Sequence, residues 1–145
     1  MFDSALASAK QWLHDLMTKL ELEPEEAGRG LHALRAGLHA IRDRLPASEV
    51  VELGAQLPVL VRGLYYEGWR FSNDPSRIRN REQLLARVEH ELRPDARFSA
   101  LAVVKAVIEL LKDHVTAGEI TDMTSTLPRS IAELWTTETS SQRHN

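Results

Sequence analysis

The chain of 145 residues contains no cysteine. That absence excludes disulfides, thiol catalysis, iron–sulfur clusters and cysteine-ligated zinc, and it fits a reducing compartment. Glycine and proline are scarce, at seven and six residues, so few breakers punctuate the chain. Long apolar runs are missing too. The longest, Leu101–Leu111, is interrupted by Lys105 and Glu109 and falls far short of the ~20 residues that span a bilayer. Positive charge is not in excess: the net charge is −3 and the isoelectric point about 6.1. The chain as a whole is therefore not drawn to nucleic acid or to an anionic membrane. The stretch MFDSALASAKQWLHDL lacks the basic start and unbroken apolar run of a secretory signal, so the expected location is the cytoplasm.

What is present is an ordinary globular balance of 43% hydrophobic and 27% charged residues. Long stretches are rich in Ala, Leu, Arg and Glu, which favour helix. A chain of this size removes roughly 70% of its unfolded surface from water, so no disulfide or metal is needed to hold it together.

The dominant feature is an internal similarity. Residues 30–65 align without a gap to residues 100–135, at an offset of 70. Leu31, Ala36, Asp43, Ala47, Glu49, Leu57, Pro58 and Leu64 recur as Leu101, Ala106, Asp113, Ala117, Glu119, Leu127, Pro128 and Leu134. Substitutions keep class: Leu34, Leu38, Ile41 and Leu45 become Val104, Ile108, Leu111 and Val115, while Arg42 becomes Lys112 and Tyr65 becomes Trp135. Upstream, Trp12, Leu13, Leu16 and Leu20 match Leu84, Leu85, Val88 and Leu92 at an offset of 72. The difference falls in a Glu/Pro turn, where insertions are tolerated.

Each copy reads as four helices. The first is amphipathic, Asp3–Leu20 and then Asn80–Leu92, and ends at a proline turn, Glu23-Pro24 or Arg93-Pro94. The second carries apolar residues at 31, 34, 38, 41 and 45, and at 101, 104, 108, 111 and 115. Steps of three and four mark one buried helical face. The third starts near Ser48 and Thr116; Thr116-Ala117-Gly118-Glu119 fits a capping box, which Pro46 breaks in the first copy. The fourth opens at Pro58 and Pro128, where a missing N–H costs nothing. No stretch alternates with β-branched enrichment, so no sheet is expected. The predicted fold is an all-α bundle of about eight short helices in two pseudo-repeated four-helix units. Residues 1–69 form the first unit, 70–79 a linker, 80–135 the second unit and 136–145 a polar tail, all within one domain.

The run LHALRAGLHAIRDRLPASEVVELGAQLPVLVRGLYYEGWRF, with Arg79, Arg81 and LLARV beyond it, resembles the bacterial domain-of-unknown-function 2267 family. The similarity covers about Leu6 to Trp135. Its most specific parts are AQLP (Ala55–Pro58) and GLYYEGW (Gly63–Trp69), with GEITDMTSTLP as an echo in the second copy. Gly37 departs from the pattern, where a larger apolar residue is usual. The resemblance implies a helical fold in a bacterial cytoplasmic protein. It assigns no activity to any residue.

Motifs for chemistry are missing. GxSxG, SxxK, P-loop, GxGxxG and HExxH do not occur, so no catalytic or cofactor-binding residue is expected. His32 and His39 lie two turns apart, roughly 10 Å along a helix, and away from the Leu31/Leu34/Leu38/Ile41 face. They read as flank or solvent residues, and no metal is expected. Asp43/Asp113, Glu49/Glu119 and Glu52/Asp122 recur in both copies and read as helix caps or as partners of Arg42 and Lys112. Tyr65, Tyr66, Trp69 and Phe71 form the densest aromatic group, read mainly as packing between the units and otherwise as an interaction surface. Arg70, Arg77, Arg79 and Arg81 near these rings offer a basic contact, which could hold single-stranded nucleic acid, although no recognised motif and the negative total charge argue against it. The expected function is a non-catalytic helical protein-interaction module, with an unidentified protein partner or a second copy of itself. The alternative is an enzyme or small-ligand binder using a cleft between the units.

Overall fold

A central helix sets the architecture. In the computed structural model, which describes residues 2–93 and 98–144 and the side chains as far as Thr136, helix α2 (Ala27–Arg44) packs against α1 (Phe2–Lys19), α4 (Val59–Tyr66), α5 (Arg81–Leu92) and α6 (Ala100–His114). The remaining helices are α3 (Ala47–Ala55), α7 (Ala117–Thr124) and α8 (Arg129–His144), and 3₁₀ turns occupy Pro24–Glu26 and Pro75–Arg77. The described residues thus form eight helices and no strand, as the periodicity predicts. Pro94 and Asn145 lie outside the described residues.

Most of the predicted apolar stripe is buried: Leu34, Leu38 and Ile41 in α2 with Leu45 at its end, and Val104, Ile108, Leu111 and Val115 at the aligned positions of the second copy, whereas Leu31 is 36% exposed and Leu101 half-buried. A second stripe of α2, made of Ala33, Ala36, Gly37 and Ala40, is buried as well. Small residues at three- and four-residue spacing let a neighbouring helix approach closely. A Cβ built on Gly37 would lie 2.5 Å from Val107 Cγ2 of α6. This accounts for glycine at position 37.

Helix boundaries agree at the offset of 70. Helices α2 and α6 end at Arg44 and His114, α3 and α7 start at Ala47 and Ala117, and α4 and α8 start at Val59 and Arg129. Hydrogen bonds recur at the same offset. Arg42 donates to the Tyr65 carbonyl at 2.7 Å, and Lys112 donates to the Trp135 carbonyl at 2.9 Å. Two details differ from the sequence reading. Pro58 caps α4 rather than lying inside its first turn, and α8 continues past Trp135 to His144. The segment TTETSSQRH holds neither glycine nor proline to stop it.

The linker leaves α4 through Gly68, whose φ of 74° is left-handed and therefore suits glycine. Asp74 caps the following 3₁₀ turn by accepting from the Ser76 N–H at 3.0 Å, and these bonds lower its pKa. Asn80 caps α5 by accepting from the Gln83 N–H at 2.9 Å.

Candidate functional site

A charged cleft of about 640 Å³ opens where α2 and the linker meet α5. Helix α2 supplies Arg35, His39, Arg42 and Asp43, helix α5 supplies Arg87 and Glu91, and Glu67 to Arg77 form the remaining wall. His39 and Arg42 are 5% and 3% exposed. The reading of His39 as a flank or solvent residue is therefore corrected: α2 is buried on more than its leucine face, so residues off that face are also enclosed.

Burying these groups requires partners, and the cleft provides them. His39 Nδ1 lies 2.9 Å from Glu91 Oε2, and Nε2 lies 2.7 Å from the Leu64 carbonyl oxygen. Both neighbours are acceptors, so the ring satisfies both only by donating from each nitrogen. Arg42 donates to the Tyr65 and Glu67 carbonyls at 2.7 and 2.6 Å and pairs with Asp43 at 2.8 Å. Arg87 bridges Asp43 at 3.1 Å and Glu91 at 2.9 Å. Arg35 pairs with Glu67 at 2.8 Å. Burial works against ionisation of Glu91, but His39 and Arg87 outweigh it and hold its pKa below the usual carboxylate value.

Two arginines of the same cleft are held less closely. Neither Arg70 nor Arg77 makes a side-chain hydrogen bond or close ion pair among the described residues, and Arg77 has only the electrostatic attraction of Asp74. On its other side Arg77 borders a second concavity of about 400 Å³, lined also by Arg44 and Arg79. Arg44 Nε is buried without a hydrogen-bond partner, and burial lowers its pKa despite the nearby Asp74. Arg81 is placed elsewhere, donating to the Ser130 carbonyl at 3.3 Å. The four arginines marked in the sequence thus do not form one stripe. Arg70 and Arg77 face the cleft, Arg77 and Arg79 the neighbouring hollow, and Arg81 the start of α8.

The aromatic group is graded from core to surface. Tyr65 is fully buried and donates to the Val50 carbonyl at 2.8 Å, and burial pushes its phenol pKa up. Tyr66 packs over Gly54, where an added Cβ would lie 2.6 Å from the phenol oxygen. Trp69 is half-buried on the cleft wall, and Phe71 is 79% exposed. The rings form a ladder with centroid separations of 5.0, 5.9 and 4.8 Å.

A different surface lies between α1, α2 and α4. Leu6, Ala9, Leu13, Leu31, Leu60 and Leu64 line an apolar groove of about 330 Å³, with Lys10 at its lip. Leu6 and Leu60 are nearly half exposed.

The recurring acids separate into two groups. Asp43 pairs with Arg42 as expected, whereas Asp113 pairs with Lys19 at 2.8 Å rather than with Lys112. Glu119 departs from its expected role. Thr116 Oγ1 accepts from the Glu119 N–H at 3.2 Å, but the Thr116 N–H donates to Gln56 Oε1 at 2.9 Å instead of to Glu119. Half of the capping box therefore forms, and the Glu119 carboxyl turns toward Glu49 and Glu52. Burial and the neighbouring Glu49 push Glu119 up to about 7, and burial with Glu52 raises Glu49.

The fold and cleft define an all-α bundle with a ring of paired charges around an open polar cleft, and no described helix is long and apolar enough to cross a membrane. The chain belongs to the family described as uncharacterized conserved protein (DUF2267), whose model matches residues 9–134. No curated protein matches it.

Proposed function

We propose that the protein is a non-catalytic binding module of the cytoplasm, in which the cleft between its two helical units takes a small anionic ligand. The observation that carries this reading is the contrast within one cleft. Asp43, Glu67 and Glu91 pair with the other cations of the cleft, while Arg70 has no side-chain partner among the described residues and Arg77 has only the attraction of Asp74, both beside the half-buried Trp69. A guanidinium fork suits carboxylate or phosphate oxygens, and an indole face suits a planar group. The volume is in the range of small-molecule sites. Thermal melts at fixed ionic strength with inorganic phosphate, pyrophosphate or citrate test it. At least one anion raises the melting temperature of the native protein, and Arg70→Ala and Arg77→Ala reduce the rise. Equal responses in native protein and variants, or none, contradict it.

The apolar groove supports a second reading, that of a protein-interaction module. Its near absence of polar groups fits an amphipathic helix laid in with its apolar stripe down, and Lys10 at the lip suits an acidic residue on that helix. Leu60→Glu abolishes such binding while leaving the anion response unchanged.

A further inference from the structure

We infer that Glu49, Glu52 and Glu119 form a site for a hard divalent cation at the contact between α3 and α7. One oxygen of each carboxylate lies within 4.8 Å of the others. Ligands on opposite sides of a calcium ion are separated by roughly twice a 2.3–2.6 Å bond, so one ion can reach all three. The donors are all carboxylate oxygens, which select calcium, magnesium or manganese over softer metals. Asp122 adds a fourth negative charge, acting on both Glu49 and Glu119.

The cluster differs from an ordinary acidic surface in what it lacks. Glu119 is 6% exposed, and its Oε2 is enclosed without a hydrogen-bond partner, as is Glu49 Oε1. No described lysine or arginine pairs with any of these acids. A buried carboxylate without a partner is costly, and the capping role that would have satisfied Glu119 is taken by Gln56 from the other half of the chain. The only hydrogen-bonding neighbours of the Glu49 and Glu119 carboxyl groups among the described side chains are acids: the two lie within hydrogen-bonding reach of each other, and Glu49 also of Glu52. Two carboxyl groups can lie this close by sharing a proton or by sharing a cation. Glu52 is exposed and leaves a path from solvent. The expectation of no metal came from histidine spacing, and these carboxylates were read as caps, so the site was not visible in the sequence.

Calorimetric titration of chelator-treated protein with Mn²⁺, Ca²⁺ and Mg²⁺ at neutral to mildly alkaline pH tests the inference. At least one ion binds with one site per chain. Glu119→Gln and Glu49→Gln, near-isosteric changes that can still hydrogen-bond the remaining carboxyl group, weaken it at least tenfold while circular dichroism remains helical. Glu52→Gln at the exposed rim also weakens binding and keeps the test open if a buried variant fails to fold. The inference is overturned if none of the three ions binds saturably, which leaves a shared proton as the only link. It is equally overturned if binding is unchanged in the folded variants, which places the ion elsewhere.

Discussion

His39 and Glu91 show how a buried charge is made tolerable. Each ring nitrogen of His39 meets an acceptor, and Glu91 is held by both His39 and Arg87. The lowered pKa of Glu91 has a definite sign for stability. A carboxyl group whose pKa is lower in the folded state binds fewer protons there than when unfolded. Its contribution is present above its ordinary value of 4.5 and is lost as pH falls through the folded-state value. Urea unfolding between about pH 3 and 6 should therefore show stability decreasing on acidification. Glu91→Gln should be less stable at neutral pH and should flatten that slope, and an unchanged slope would mean that Glu91 is not the responsible group. Sequence reading missed this pair because its two members are 52 positions apart and neither belongs to a recognisable motif.

Among the elements, α2 explains most of what sequence did and did not reveal. The steps 31, 34, 38, 41 and 45 gave the helix and its leucine face, because burial against one neighbour leaves a periodic trace. The burial of His39 and Arg42 was missed because only one buried face was assumed. A signal was available: Ala33, Ala36, Gly37 and Ala40 repeat at helical spacing and allow a second neighbour to approach. Gly37→Ala tests that approach. The added methyl meets Val107 Cγ2 inside contact distance and should cost about 1–3 kcal/mol by overpacking, which outweighs the better helix propensity of alanine. Combined with Val107→Ala, the loss should be smaller than the sum of the two single losses in urea unfolding; simple additivity would mean that the helices do not press together there. The acids of α3 and α7 show the opposite limit. The local pattern at Thr116–Glu119 correctly gave the Thr116 cap, but a long-range donor exchange with Gln56, 60 positions away, redirected Glu119.

At the scale of the molecule, residue pairs at the offset of 70 meet across the middle. Gly37 faces Val107, and Glu49 faces Glu119. A position that touches its own counterpart is what an approximate two-fold axis produces, and we propose that the two units are duplicated copies related in this way. The two copies are not equivalent in charge. Lys112 of the second copy takes the place of Arg42, and Glu109 that of His39. The charged cleft belongs to the side where α2 and the linker meet α5, and the linker itself has no counterpart in the offset alignment. The fold was legible because helix periodicity and turn residues are local signals. The cleft was not, because it assembles α2, the linker and α5 from distant parts of the chain.

The proposed anion site rests on Arg70 and Arg77 in the cleft. Crystals soaked in tungstate, a heavy oxyanion with an anomalous signal, test it directly. An anomalous peak is expected inside the cleft within hydrogen-bonding reach of Arg70 or Arg77, and it should be lost in Arg77→Ala. Tungstate bound only at other surfaces, with the cleft free of it in crystals where its mouth is open to solvent, would contradict the account.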